Sequence, residues 1–341
     1  MGRSLIGTLL FYLICNLSPS LLAGDNTVSP SAIKTAIQRS IPLIEKASAG
    51  SARERKCFTC HNQAMAVFVL AEAKKRDFTI DEANFQLQVD HTAAHLKRGL
   101  KNYISGKGQG GGPDTASYAL WALELADYKP NTITSAVTGY LLERNKDKVH
   151  WIRNSTRPPS MSSDTNTNYF VIRALKTYGT EDQFTLIETR IKRAQEWLLN
   201  LKPDSTEERA FQLRSFLYLD VEESIVKTAI RELIQLQNED GGWSQLPSMK
   251  SDAYATGTVL VALLRSGQFP ADHSVIVRGI TYLIDSQLPD GSWHVVSRAK
   301  PFQTYFETGY PHEKDQFISV TAGSWATVAL LLMLPETKSL R

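Results

Sequence analysis

Apolar and polar positions alternate in blocks along this chain of 341 residues. One kind of block is rich in Ala and Leu and is apolar on every side of a helix, and the next keeps one polar face. The apolar blocks predict six buried helices, at residues 63–75, 115–126, 167–178, 209–219, 254–265 and 321–334. The amphipathic blocks predict six covering helices, at residues 31–49, 81–103, 131–145, 184–201, 222–236 and 273–286.

This alternation predicts a closed architecture. Helices that are apolar all round must be buried, and amphipathic helices must cover them. Six alternating pairs can close into a ring in which inner helices line a central funnel and outer helices wrap it. We therefore expect an all-α protein with an α/α toroid fold, formed as a single domain by residues 24–341. Pro42 should kink or restart the first amphipathic helix.

The connections that lead from each outer helix to the next inner helix fall on one rim of such a ring. They comprise residues 50–62, 105–114, 146–166, 202–208, 238–253 and 287–320. Five of them hold the Gly, Pro and Trp residues that make irregular loops, and the fourth has only Pro203. Because binding residues concentrate on loops carried by a rigid scaffold, we expect the function to lie on this rim.

The N-terminus has the pattern of a secretory signal peptide. Arg3 precedes an apolar run at residues 5–17, and a small-residue cleavage site follows near Ala23 and Gly24. Residues 1–23 are therefore predicted to be a signal peptide of a periplasmic or secreted protein, with a retained anchor as the alternative. The run is short for a bilayer, so no stable membrane span is expected.

Composition and charge limit the kinds of partner that the protein is expected to bind. Apolar residues make up 42% of the chain, as in an ordinary globular protein with a substantial core. A formal net charge of +3 gives no strong field that would attract nucleic acid or an anionic membrane. We expect no nucleic-acid partner.

The most specific motif is Cys-Phe-Thr-Cys-His at residues 57–61. CxxCH is the sequence at which haem is attached covalently, with both thiols joined to the porphyrin and the histidine bound to iron. Since Cys15 lies in the predicted signal peptide, Cys57 and Cys60 would be the only cysteines left. We expect one covalent haem c, with His61 as the proximal iron ligand. A zinc half-site and a strained Cys57–Cys60 disulfide are the alternatives.

Basic residues precede this motif. Arg53, Arg55 and Lys56 would face the haem propionates or an acidic redox partner protein, whose identity the sequence leaves unknown. A solvated loop is the plainer interpretation.

Candidates for the sixth iron ligand lie on other rim loops. Ring closure would bring the loop of residues 287–320 beside the motif, and this loop contains His312 and His294, either of which is a tentative iron ligand. Met161 and Met249 on other rim loops are further candidates.

His91 and His95 have the i, i+4 spacing of a helical metal site. Because Lys97, Arg98 and Lys101 surround them in the sequence, they are interpreted as an exposed helix face.

Two segments resemble the QW repeats of squalene cyclases. They are Gln-Asn-Glu-Asp-Gly-Gly-Trp at residues 237–243 and Gln-Leu-Pro-Asp-Gly-Ser-Trp at residues 287–293. The resemblance implies the α/α toroid that these cyclases share with protein prenyltransferase β subunits. With CxxCH and Gln63, the chain is similar to bacterial squalene-cyclase-like repeat proteins that carry a cytochrome c motif. Residues 291–294, 301–307 and 311–319 match that group, which implies the fold and the haem rather than a reaction.

The catalytic motifs of the related enzymes are missing. The sequence has no DxDD, no Asp-Asp pair for a DDxxD, no cysteine after Cys60 for a prenyltransferase zinc site and no Gly-Cys-Gly-Glu-Gln thioester. Terpenoid cyclase activity is therefore not expected, and the sequence leaves open whether the chain is an enzyme.

Aromatic residues concentrate in the last third of the chain. A ligand pocket for an apolar small molecule such as a lipid or quinone would be formed by Tyr254, Trp293, Phe302, Tyr305 and Glu307. The plainer interpretation is that the aromatic residues pack turns and loops.

The predicted function is electron transfer or redox sensing by an exported haem protein. The alternative is a cyclase-like or prenyltransferase-like enzyme, or a binder, that holds an isoprenoid or lipid ligand in the central funnel. A third possibility is an interaction module whose partner docks across the rim.

Overall fold

The computed structural model describes residues 27–301 and 303–337, and the regular elements found there are helices. The predicted signal peptide lies outside these residues. The outer helices are α1 (Pro30–Glu54), α3 (Glu82–Arg98) with its short continuation α4 (Leu100–Ile104), α6 (Thr132–Glu143), α8 (Phe184–Asn200), α10 (Glu223–Gln235) and α12 (Ser274–Asp285). The inner helices are α2 (Met65–Lys74), α5 (Gly112–Leu125), α7 (Asp164–Tyr178), α9 (Thr206–Tyr218), α11 (Ala253–Arg265) and α13 (Gln316–Leu332).

The inner helices form a closed ring. Each inner helix packs against the next one along the chain, and α13 packs against α2 to complete the circle. In the outer layer, α1 contacts α12 on one side and α3 on the other. The predicted all-α toroid of six inner and six outer helices is confirmed for the described part of the chain. None of the helices described is both long and apolar enough to cross a membrane.

The outer-to-inner connections lie on one rim, as predicted, because each ends at the N-terminus of an inner helix. Side chains at those N-termini cap the helices. Ser163, Ser205 and Asp252 each accept a hydrogen bond from a backbone N–H in the first turn of α7, α9 and α11. The caps fix where each of these three rim loops ends and its inner helix begins.

Most helix ends differ from the predictions by a few residues, and three differences from the predicted helices are informative. A π-helical turn at Cys60–Ala64 runs directly into α2, so the first inner helix begins inside the CxxCH motif. The last inner helix begins at Gln316, because the buried segment that precedes Thr321 packs as helix despite its β-branched residues. Pro42 does not interrupt α1: its side chain is exposed, and buried Ile41 and Ile44 hold both halves against the ring.

The middle of the ring is packed with aromatic side chains where a funnel was expected. Phe68 of α2 has its ring centre 5.0 Å from that of Trp121 and 5.4 Å from that of Trp325. Trp121 is 4.6 Å from Phe170, and Trp325 is 6.0 Å from Phe211. These five side chains come from five inner helices and are all at most 2% exposed. The predicted open funnel is therefore wrong at this level of the ring.

Candidate functional site

The CxxCH motif lies at the rim, between the end of α1 and the start of α2. Its turn is organised by Gln63, whose Oε1 accepts hydrogen bonds from both the backbone N and the Oγ1 of Thr59, each at 2.8 Å. The Gln63 Nε2 donates to Gln88 Oε1 of α3 at 3.3 Å. Gln63 is fully buried, so it acts within the protein as the first-turn residue of the helix.

The two cysteines have different surroundings. Cys57 is exposed and Cys60 is buried, and both are free thiols. Burial raises the pKa of Cys60 to about 12 and so keeps this thiol protonated at neutral pH. Two unpaired thiols three residues apart do suit thioether attachment to one porphyrin.

His61, which follows Cys60 in the chain, is half-buried. Burial lowers the pKa of His61 to about 3, and the positive charge of Arg157 acts in the same direction. The imidazole is therefore neutral at physiological pH, which is the form that binds a metal. Arg157 also acts electrostatically on Cys60, so the loop that carries it lies close to both residues.

Helix α3 covers the other side of the motif. His91 Nε2 lies 3.1 Å from the backbone oxygen of Cys57, and the His95 ring centre lies 6.1 Å from that of Phe58. The interpretation of both histidines as an exposed face is wrong for His95, which is 7% exposed. Burial lowers the pKa of His95 to about 4. Its position was hard to predict because the buried face of α3 includes polar Gln88 and Thr92.

His294 and His312 lie on the rim next to each other. Their rings stack at 4.5 Å with planes 15° apart. His294 Nε2 is 3.0 Å from Asp315 Oδ2, and His312 Nε2 is 2.8 Å from Ser292 Oγ. Their hydrogen bonds and ring contacts join them to this loop and to each other, so a role as iron ligand remains a prediction for both.

The loop that carries these histidines contacts Arg55, two residues before the motif. Arg55 donates to the backbone oxygen of Thr304 at 3.0 Å and its guanidinium carbon lies 4.5 Å from the centre of the Phe306 ring. Of the methionine candidates, Met161 is buried and Met249 is half-buried.

The four predicted pocket residues that the structure describes have three different sets of partners. Tyr254 is buried and donates to Glu207 Oε1 at 3.0 Å, and Trp293 donates to the backbone oxygen of Leu283 at 2.8 Å. Tyr305 and Glu307 are exposed, and both accept from Gln316 Nε2. Phe302 lies outside the described residues. A cavity of about 10 Å³, enough for one water molecule, adjoins Tyr254 and is lined largely by polar side chains.

Two buried carboxylates that the sequence did not indicate hold the rim loop containing Arg157. Asp114 accepts from the backbone N–H groups of Asn154 and Ser155 at 2.9 and 3.0 Å. Glu207 accepts from the backbone N–H of Met161 at 3.0 Å and from Ser162 Oγ at 2.6 Å. Burial raises the pKa of both carboxyl groups, that of Glu207 to about 7. Together they keep the loop, and with it Arg157, next to the CxxCH turn.

Comparison with known proteins finds partial matches to squalene-hopene cyclases and related enzymes. A family model described as the squalene-hopene cyclase C-terminal domain matches residues 210–326, which include both QW-like segments. Drimenyl diphosphate synthase of Streptantibioticus cattleyicolor is 35% identical over 77 residues, which are 23% of this chain and 13% of that protein. The match thus spans about an eighth of the length of that relative.

Solved structures extend the likeness to nearly the whole chain. The apo type II terpene cyclase MstE from Scytonema has a TM-score of 0.55 at 12% identity, covering 89% of this chain and 98% of that one. A possible member of the GH105 family from Salmonella enterica has a TM-score of 0.57 at 14% identity, covering 95% and 98%. At these identities the likeness shows the fold alone, which is the α/α toroid of squalene-cyclase-like proteins.

Proposed function

We propose that this chain is an exported haem c protein that serves in electron transfer or redox sensing. The observation that carries the proposal is the set of donors at the rim. Two unpaired thiols and a neutral imidazole occur together in a CxxCH turn. The residues present fit the group, since Cys57 and Cys60 would hold the porphyrin and His61 would bind its iron.

When bound, the haem would supply an iron that cycles between Fe(II) and Fe(III). His61 would offer its nitrogen without first losing a proton, because it is already neutral. Arg157 would place a positive charge beside the motif, which favours propionate binding and the reduced iron. Asp114 holds the loop of Arg157 in that position.

Covalent attachment is tested by producing the full chain with a haem c maturation system. We expect a band that stains for peroxidase activity on a denaturing gel, with one haem per chain. The Cys57→Ala/Cys60→Ala double variant should be colourless, whereas Cys15→Ala, outside the motif, should stain like the wild type. A colourless wild-type band would refute the proposal.

A second candidate is an enzyme or binder of an isoprenoid-like ligand. The comparisons taken alone favour it over a haem protein, because terpene cyclases recur among the relatives and structural neighbours. Against it stand the missing DxDD motif and the aromatic side chains that fill the ring centre. Such a ligand would therefore have to bind at the rim.

Mass spectrometry of lipids extracted from the purified chain tests this candidate. We expect no isoprenoid to co-purify in stoichiometric amount, because the centre is closed. A single bound isoprenoid species would favour the second candidate, especially if it appears whether or not the haem is attached.

A further inference from the structure

We propose that Tyr169 ionises within the folded ring and that its phenolate is the counter-ion of the buried Arg214, which makes a pH-sensitive ion pair between α7 and α9. The pair lies on two inner helices, and its formation does not require the proposed haem.

The phenol oxygen of Tyr169 is surrounded by donors. It accepts a hydrogen bond from Arg173 Nη1 at 2.9 Å and another from Arg214 Nη2 at 3.1 Å. Tyr169 is 4% exposed, and in none of the hydrogen bonds found among the described residues does its hydroxyl act as the donor. A buried hydroxyl proton without an acceptor is costly, whereas a phenolate has no such proton and suits two guanidinium donors.

Arg214 lacks a carboxylate partner. It is 4% exposed, and its Nε and Nη1 have no hydrogen-bond partner among the described residues. Arg173 pairs with Glu124, but no carboxylate in the described part of the chain forms an ion pair with Arg214. A guanidinium stays charged, and a buried charge is normally paired. Tyr169 is therefore the neighbour that can supply the missing negative charge.

The aromatic faces beside Arg214 do not replace that charge. Its guanidinium carbon lies 4.3 Å from the centre of the Tyr169 ring and 4.8 Å from that of Trp325. Such contacts attract a cation but carry no net negative charge. Because one of the two rings is Tyr169 itself, its ionisation would strengthen this contact as well.

The wider surroundings of Tyr169 are predominantly positive. Glu72, the carboxylate that pairs with Arg265, is shared with Lys75 and Arg76. Positive charges therefore outnumber negative ones as long as Tyr169 keeps its proton. The ionisable groups around this site on the helices of the ring are Arg173 and Lys176 of α7, Arg214 and Tyr218 of α9, Arg265 of α11, Glu124 of α5 and Glu72 of α2.

These charges act on the ionisation of Tyr169. Burial by itself raises its pKa, but Arg214, Arg173 and Arg265 together lower the pKa to about 8. Since this value is lower than the pKa of tyrosine in an unfolded chain, the contribution of the pair to stability is fully present above the unfolded pKa. It is lost as the pH falls through the folded pKa.

A pH titration of the full chain, followed by the near-ultraviolet absorption of phenolate, tests the ionisation. The wild type should show one early step, equal to one tyrosine, with a midpoint near pH 8. Tyr169→Phe should lack this step, and the difference between the two titrations cancels every absorption that they share. The matched control Tyr178→Phe should keep the step, because Tyr178 is buried on the same helix but donates to the backbone oxygen of Tyr128.

Two further variants test the pairing. Arg214→Met removes the charge and keeps a long side chain, so the step should move up by at least about one pH unit. Arg214→Lys keeps the charge and should retain an early step. Circular dichroism shows that each variant is folded over the titrated range.

A wild type in which no tyrosine ionises before the others, or an early step that persists in Tyr169→Phe, would overturn the ionisation. An unchanged midpoint in folded Arg214→Met would overturn the pairing with Arg214.

Discussion

Glu207 shows what a single buried carboxylate does at the rim. It joins the first turn of α9 to the loop of residues 144–163 and to Tyr254 of α11. Burial raises its pKa from 4.5 to about 7, although the bonds from Ser162 and Tyr254 act in the opposite direction. A carboxyl group whose pKa is higher in the folded state favours folding below its unfolded pKa, and this contribution disappears as the pH rises through the folded pKa.

We therefore predict a pH-dependent difference between the wild type and Glu207→Gln, which cannot titrate. The free energy of unfolding of the wild type relative to the variant should fall by up to about 3 kcal/mol between pH 4.5 and pH 7.5. Urea unfolding of both proteins at a series of pH values measures this difference. Because all other titrating groups are common to both proteins, their effects cancel. A difference that grows with pH would mean that the donors keep Glu207 ionised instead.

At the scale of elements, one kind of turn joins the outer layer to the ring. Trp243 and Trp293 donate from Nε1 to the backbone oxygens of Leu233 and Leu283, at 2.7 and 2.8 Å. Trp151 makes the same bond to Leu141, again ten residues earlier, at 2.7 Å. The first two turns were recognisable by their Gln and Gly residues. The turn at Trp151 has neither at the matching positions, so only its geometry shows the equivalence.

The second of these turns also closes the outer layer. Gln287 Nε2 donates to the backbone oxygen of Ala36 in α1 at 2.9 Å, and Arg39 of α1 donates to that of Leu288 at 2.8 Å. Gly291 has a φ of +92°, and a Cβ there would lie 2.4 Å from the backbone oxygen of Arg39. The closure between α12 and α1 thus requires a residue without a side chain at this position.

Gly291→Ala should destabilise the protein more than Gly106→Ala does. Both glycines have a positive φ, but a Cβ at Gly106 would meet no atom within 4 Å. Each variant should lose about 1–2 kcal/mol from the left-handed backbone, and Gly291→Ala about 1–3 kcal/mol more from the contact with α1. Urea unfolding provides the comparison. Equal losses would show that the contact with α1 is readily relieved.

At the scale of the whole molecule, stability depends on the aromatic centre of the ring. Trp325 is 1% exposed, stacks edge-on to Phe68 and Phe211, and lies 4.8 Å from the guanidinium carbon of Arg214. These contacts tie α13 to α2 and α9, across the seam where the ring closes. A substitution here acts on three helices at once.

Trp325→Ala should therefore lower the free energy of unfolding by roughly 3–5 kcal/mol. The control Phe184→Ala, at a side chain 63% exposed on α8, should change it by less than about 0.5 kcal/mol. Calorimetry or urea unfolding measures both. Similar small effects would indicate that the ring centre is loosely packed and able to accept a ligand.

The sequence by itself determined the alternation of inner and outer helices, the common rim and the place of CxxCH on it. These features follow from local periodicity and from turn residues that act over a few positions. Only the tertiary structure decided three other features. They are the location of His95 beside the motif, the carboxylates Asp114 and Glu207 under the rim loop, and the closed centre.

These three features could not be predicted because they depend on contacts between residues far apart along the chain. Phe68 and Trp325 meet because the ring closes, and whether side chains fill the space between six helices depends on their summed volumes rather than on any local pattern. His95 looked exposed because its neighbours in sequence are basic, but burial is set by what packs against a helix face. Only the assembled ring shows which polar groups are left without a partner.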